Sequence, residues 1–368
     1  MDRKRRRILQ AGLLGGAAAA SSGLPLALAA EPLQQANRAA LNILVLGGTG
    51  FIGPHMVSEA LRRGHSVTLF NRGRSNRKLF PDLQLLLGDR DAGLQALAGR
   101  EWDAVIDNSG YVPRHVRDSA ALLAPAVSHY LFVSTISVYA SYAQPNDETS
   151  PLATMPDESV EEVTPDTYGP MKALCEKQAA AEIAADRLTI LRPTYICGPG
   201  DRTDRYTYWP VRTMRGGEML WPGAPQHKIQ IVDVRDLANF VIDCLEQKIA
   251  GIYNTVTPAG SFSMGQLLQD CAAVTAADMM PRWVDDAFIR RHAVAAAGGL
   301  PLWSPARGDT ASVAWINGER AVAQGLHNRP TRETARDTLR WWQTLPAERR
   351  GRLQAGLSAE KEQQLLAL

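Results

Sequence analysis

Short apolar runs and helical spacings alternate through the first half of the chain. The runs at 42–46, 66–70, 84–87, 104–107, 129–133 and 188–191 are four or five residues long and rich in Val, Ile and Leu, the pattern of buried strands. Between them, 51–63, 92–98, 113–124 and 166–184 place apolar residues at helical intervals. Strands alternating with helices predict βαβ units, right-handed crossovers and an α/β fold built on a doubly wound parallel sheet. Ligands of such sheets bind at the carboxyl ends of the strands, and each motif described below falls there or on the next helix.

The pattern changes after Tyr139. Residues 139–166 are polar and rich in Pro, Asp and Glu, a long surface loop of the kind that covers a site. Beyond Pro193, Gly- and Pro-rich segments (Gly198-Pro199-Gly200 and 221–225) alternate with aromatic patches and short helices. A strand at 229–232, a helix from Arg235 and a strand at 252–254 are expected to return to the main sheet. The remainder reads as a smaller mixed substrate lobe closed by helices near 332–343 and 358–367. The expected division is an export signal at 1–29, a dinucleotide-binding domain at 40–195 and a substrate lobe at 196–368, with 229–257 rejoining the sheet.

The N-terminus changes the picture of where the protein works. Residues 3–10 carry five consecutive cations and then Ile8 and Leu9, followed by a mildly apolar Gly/Ala stretch from Ala11 to Ala30 with small residues at Ala27 and Ala29. A charged region, a moderately hydrophobic region and an A-x-A site resemble a twin-arginine export signal, cleaved on the way to the periplasm. A basic tail with an anchor and a general secretory signal are the competing readings. Removing 1–29 takes away five Lys/Arg and one acid, turning the net charge of +2 into −2. The only dense basic block lies in the signal, so no nucleic-acid partner is expected. No later apolar run is long enough to span a bilayer. Cys175, Cys197, Cys244 and Cys271 are scattered, and the seven histidines show no ligand spacing. No metal is expected, and the cysteines read as small buried hydrophobes.

The most informative stretch is Leu41 to Gly53. A buried strand ends in Gly47-Gly48-Thr49-Gly50-Phe51-Ile52-Gly53 and opens a helix. Glycines there let a dinucleotide pyrophosphate approach a helix N-terminus, where free N–H groups and the macrodipole favour anions. Downstream, Tyr168 and Lys172 stand four apart and share a helix face. A free tyrosine titrates near 10, and a neighbouring ammonium is expected to lower that value and make proton exchange with an alcohol feasible. Ser134 and Thr135, at a strand end, can donate to a substrate oxygen.

These motifs together resemble an extended short-chain dehydrogenase/reductase of the NAD-dependent epimerase/dehydratase type, with a Rossmann-like fold. Gly47 to Gly53, Ser134 to Tyr139, Tyr168 with Lys172, Leu191-Arg192-Pro193 with Gly198 to Gly200, and Val232 to Asp236 occur in the family's order over about residues 41–260. The resemblance implies that Tyr168 is the acid/base, that Lys172 holds the ribose and tunes the tyrosine, and that Thr135 is the catalytic hydroxyl, with Ser134 as the alternative. It also implies that Asp89 and Arg90 contact adenine and that Asn108, Ser109 and Gly110 line the floor beneath the cofactor. Where NAD-preferring sites usually carry an acid, the second strand ends in Asn71 and Arg72, with Arg74 and Arg77 close by. NADP is therefore favoured, with NAD possible.

Family dehydratases carry an acidic pair directly after the catalytic threonine. Ile136 and Ser137 stand there instead, which argues against dehydration and leaves epimerisation or simple oxidoreduction. An exported member is expected to act on an unactivated sugar, glycoside or similar polyol. Tyr206, Tyr208, Trp209 and Trp221 either stack on sugar faces or pack a core. The twin-arginine export machinery and a second copy of the chain are the expected protein partners. A non-catalytic NAD(P)-binding or RNA-binding protein on the same scaffold, like chloroplast RNA-associated relatives, is the competing class. A cofactor-loaded redox partner or assembly factor is a third.

Overall fold

The computed structural model describes residues 39–368 other than 77, 92 and 298. The export signal expected at 1–29 lies outside the described residues. Among these, the strands are β1 (Asn42–Leu46), β2 (Ser66–Asn71), β3 (Gln84–Leu87), β4 (Trp102–Asp107), β5 (Val127–Val133), β6 (Leu188–Pro193), β7 (Tyr195–Cys197), β8 (Gly217–Pro222), β9 (Ile231–Asp233), β10 (Gly251–Thr255) and β11 (Met279–Val284). Seven of them form one parallel sheet in the order β10-β6-β5-β4-β1-β2-β3. Strand order reverses between β1 and β4, which opens a crevice at their carboxyl ends.

Both faces of this sheet are covered, which is why its strands read as continuous apolar runs. Successive residues of β1 serve opposite faces. Ile43 and Val45 pack with Met56 and Val57 of α1 (Gly53–Arg62), whereas Leu44 and Leu46 pack with Val116 and Ala120 of α2 (Pro113–Leu123). Cys175 and Ala179 of α3 (Pro165–Glu182) join the second cluster. The remaining helices are α4 (Tyr208–Met214), α5 (Val234–Gln247), α6 (Met264–Thr275), α7 (Asp286–Arg291), α8 (Glu319–Ala323), α9 (Thr331–Thr344), α10 (Ala347–Arg350) and α11 (Ala359–Leu366). Leu237 and Val241 of α5 pack on the α1 side of the sheet. All four cysteines are free and buried.

Two expectations are corrected and one open alternative is decided. The helix expected at 92–98 is a single 3-10 turn at Gln95–Leu97, because Gly93 and Gly99 bracket a stretch too short to repay helix nucleation. The strand expected at 229–232 is β9, which pairs with β7 in a separate two-stranded sheet; of this returning segment, only β10 joins the main sheet, beside β6. Tyr206, Tyr208, Trp209 and Trp221 do not face a ligand cleft. They are fully buried in a second cluster with Met219, Met264 and Leu267, and the Trp209 and Trp221 indoles donate to the carbonyls of Pro301 and Met264.

The carboxyl ends of the strands also carry buried charge. Arg90 meets Asp107, at the end of β4, through two hydrogen bonds of 2.5 and 2.8 Å, and the Tyr130 hydroxyl donates to the same carboxylate at 2.8 Å. Burial pushes the Asp107 carboxyl up, but Arg90 and the Tyr130 hydroxyl outweigh it and hold it below the usual carboxylate range. Asp107→Ala leaves the Arg90 guanidinium without its counter-ion, so urea denaturation is expected to show a loss of about 3–5 kcal/mol. A loss below about 1 kcal/mol would mean that the pair is not a strut of the sheet.

Candidate active site

The glycine turn is shaped by contacts that exclude other residues. Gly47 and Gly48 adopt φ of +110° and +85°, a region that L side chains rarely enter. A Cβ on Gly53 would lie 2.5 Å from the Gly48 Cα, so α1 can start this close to the turn only with glycine there. A Cβ on Gly50 would meet nothing within 4 Å. That open side and the lack of any side-chain cap on α1 leave a cradle that fits an anionic diphosphate. Asn71 braces the turn from outside: its Nδ2 donates to the Gly47 carbonyl at 3.1 Å and its Oδ1 accepts from the Gly73 amide at 2.8 Å. Its side chain is thus committed to the backbone instead of waiting for a ribose. Arg72 and Arg74 are exposed just beyond it, with an Arg72 Nη1 atom 4.0 Å from Asp89.

Helix α3 starts three residues before Tyr168. Thr164 and Thr167 form a reciprocal capping box and Pro165 occupies the first turn, which fixes where the helix begins. Gly169 then lets α3 touch the loop after β5: a Cβ there would lie 2.2 Å from the Ser137 carbonyl oxygen. One turn on, Lys172 is 3% exposed, and its Nζ donates to the carbonyls of Gly110 at 2.8 Å and Val133 at 2.7 Å. Phe132 lies under the ammonium at 4.1 Å from ring centre to nitrogen. Two of three N–H groups are used, and Lys172 lines the cavity with the third left over.

The expected tuning of the tyrosine is not what the geometry gives. Burial is the largest influence on Tyr168 and pushes its phenol above the ordinary value; nearby Tyr111 adds to this, and Thr135 and Arg205 offset only part. The same desolvation brings the Lys172 ammonium down to about 8. With its N–H groups bound to two carbonyls, Lys172 acts more as a tie between helix and strands than as a charge aimed at the phenol. Thr135 caps the turn at Ile136–Val138, accepting from the Ser137 amide at 3.1 Å and donating to the Ser137 hydroxyl at 3.2 Å. The neighbouring Ser134 hydroxyl and the Asn108 amide nitrogen are buried without a partner.

One cavity of about 500 Å3 brings Tyr168, Lys172, Ser134, Thr135, Asn108, Phe51 and Ile52 together. Ser109 and Gly110, expected beneath the cofactor, are not among the residues that line it; a Cβ on Gly110 would collide with Val116 and Phe132 at 2.6 and 2.7 Å. The Arg90 side chain, expected at adenine, is turned into the protein. It is buried against Asp107, Ser119 and the His115 carbonyl, and Ser109 sits 3.4 Å from it. Asp89 remains partly exposed. Sequence reasoning missed the far wall: Tyr111, Tyr142, Tyr195, Asp201, Thr203 and Arg205. Their signal was positional, because four of them follow Pro193, at the carboxyl end of β6, and Tyr142 sits in the loop expected to cover a site. Among the described residues no group of three or more His, Cys, Asp or Glu is placed to hold a metal ion, and no helix is long and apolar enough to cross a membrane.

The family model described as NAD dependent epimerase/dehydratase family matches residues 43–255. Among curated proteins, the chain is 26% identical over 219 residues to the chloroplast stem-loop binding protein of 41 kDa b of Arabidopsis thaliana, covering 55% of this chain and 54% of that one. It is 30% identical over 187 residues to 2-alkyl-3-oxoalkanoate reductase of Stenotrophomonas maltophilia, covering 44% and 53%. The chain thus spans about half the length of these curated relatives. Among solved structures, the Bordetella bronchiseptica enzyme WbmG in complex with NAD superposes with a TM-score of 0.63 at 16% identity, covering 85% of this chain and 96% of that one, a likeness of fold.

The approach of α3 to the Ser137 carbonyl yields a test. Gly169→Ala puts a methyl against backbone, which cannot swing aside, and is expected to cost about 1–3 kcal/mol in urea denaturation. Lys177→Ala, on an exposed position of the same helix, serves as the control and should stay within about 0.5 kcal/mol. Equal stability of the two variants would show that the close approach is not required.

Proposed function

Because the chain belongs to the NAD dependent epimerase/dehydratase family, we propose that it is an NAD(P)-dependent oxidoreductase or epimerase acting on a hydroxyl or keto group of a sugar, glycoside or similar polyol. The observation that carries this reading is the convergence of the uncapped glycine turn, Tyr168, Thr135 and Lys172 on one cavity. The residues fit a dinucleotide: the cradle at Gly47 to Gly53 would take the diphosphate, the remaining Lys172 N–H the ribose, and the orphaned Asn108 and Ser134 groups lie where further polar contacts are needed. When bound, the nicotinamide supplies a hydride acceptor or donor.

The chain's own residues do the proton work. Tyr168, with its phenol protonated at neutral pH, gives a proton to a carbonyl oxygen or takes one back from the alcohol, and the Thr135 hydroxyl steadies the same oxygen. Lys172 holds α3 in place, and its cation favours whatever negative charge develops on the phenol. Arg72 and Arg74 at the end of β2, with no acid beside them on that strand, support NADP over NAD. Residues from 196 onward are read as the substrate lobe. The stem-loop binding relative keeps a non-catalytic reading in play, and a protein that binds RNA but shows no turnover would promote it. The cations at 3–7 support a twin-arginine export signal and a periplasmic site of action, with the nucleotide loaded before export.

Two measurements test this. Tyr168→Phe is expected to lower turnover by about 100-fold to 10,000-fold while the nucleotide released on denaturing the purified protein, expected to be NADP, stays at the wild-type amount. Activity surviving the change, or protein that never carries a nucleotide, overturns the mechanism. For export, replacing Arg5 and Arg6 together by Lys is expected to hold the full-length chain in the cytoplasm. Unchanged periplasmic recovery would point to another route.

A further inference from the structure

A carboxylate removed from water normally satisfies both oxygens. Asp201 does not. It lines the cavity yet is only 1% exposed. Its Oδ1 accepts from the Thr203 amide at 2.8 Å and the Thr203 hydroxyl at 2.7 Å, while Oδ2 is buried without a partner in the protein. Arg205, the nearest cation along the chain on this wall, is engaged elsewhere: its guanidinium donates to the Thr203 hydroxyl at 3.1 Å and lies over the Tyr195 ring at 5.0 Å.

The loop is not free to carry Asp201 out to solvent. On one side, His55 Nε2 meets the Pro199 carbonyl at 2.8 Å and Arg202 donates to the Thr49 carbonyl at 3.3 Å. On the other, Asp204 adopts φ of +55° and is fully buried, held by Arg349 at 2.6 Å and the Gln354 amide at 2.8 Å. A buried acceptor is thus fixed in the cavity wall with one oxygen to spare.

We propose that Asp201 is a specificity-determining residue whose Oδ2 accepts a hydrogen bond from a substrate hydroxyl remote from the reacting carbon, which makes the substrate polyhydroxylated. The proposal rests on the oxidoreductase reading above and narrows it. An alkyl ketone or sterol filling the cavity brings no donor to the free oxygen away from its reacting carbon, and an unmet buried acceptor is costly. A sugar-like ring can bring a hydroxyl to the same place.

The test uses ligand binding, followed by thermal shift titration of the purified full chain. The probes are methyl glycosides of glucose, galactose and mannose, UDP-glucose, a 2-alkyl-3-oxo acid and a 3β-hydroxysterol. At least one polyol is expected to bind. Asp201→Asn keeps an acceptor for Thr203 but puts a donor in place of the free oxygen, and should weaken that binding about tenfold or more. Deoxy analogues on the unaltered protein provide a check that needs no variant to fold: one missing hydroxyl should cost about tenfold or more. Equal affinity in Asp201→Asn, or no sensitive deoxy position, overturns the role of Asp201 and leaves the oxidoreductase reading standing. Preference for the oxo acid or the sterol, or no binding by any polyol, overturns the carbohydrate class itself.

Discussion

The Lys172 ammonium is the constraint on which the site depends. A buried cation must be met by acceptors, and the carbonyls of Gly110 and Val133 meet it. Those carbonyls lie just past β4 and at the end of β5, so one side chain ties α3 to two strand ends at the same time. The alternative, an ammonium buried without partners, is costly enough that the helix has one register available. Tyr168, one turn earlier, inherits its position from that register. Gly169 permits it by removing the only atom that would strike the Ser137 carbonyl.

The lower half of α3 is held in the same manner. Glu176 accepts from Arg192 of β6, and Arg192 reaches on to the Tyr139 hydroxyl at 3.2 Å and the Glu148 carbonyl at 3.2 Å. The Glu148 carboxylate accepts from the Asn254 amide at 2.9 Å, so the polar loop after Tyr139 is stitched to β6 and β10. This loop places Tyr142 in the cavity wall, its hydroxyl donating to the Ile136 carbonyl at 2.8 Å. Charged groups here serve geometry: they exchange solvation for fixed positions around the cavity.

The strands and the helices flanking the glycine turn were legible because burial on two faces writes itself as apolar runs, and amphipathic helices as a repeating stripe. Tyr168, Thr135 and Lys172 were legible because a helix and a strand end bring short sequence motifs into one place. What failed has a common origin in long-range partners. Arg90 stood where the resemblance implies an adenine contact, but Asp107, 17 residues away, draws its side chain inward. Asn71 stood where a ribose contact was expected, yet the Gly47 carbonyl takes its amide. The aromatic group at 206–221 reads alike as a sugar platform or a core, and packing against Met264 and Leu267 decides for the core. Asp201 sat in plain view beside a glycine pair, but only the fold reveals that one of its oxygens has no partner.

Tyr168 and Lys172 are moved by one cause in opposite directions. Desolvation raises the Tyr168 phenol and lowers the Lys172 ammonium to about 8, since each loses its charged form on leaving water. The shifts therefore act together on the proton. Below about pH 8 the cavity holds a neutral phenol one turn from a cation whose N–H groups are bound to the carbonyls of Gly110 and Val133. Above it Lys172 loses its charge, while the buried phenol stays protonated to higher pH than a free tyrosine. On the proposed reading, this burial favours proton donation by Tyr168 over proton removal. Removal of a proton from an alcohol requires the same pair to work against its own desolvation.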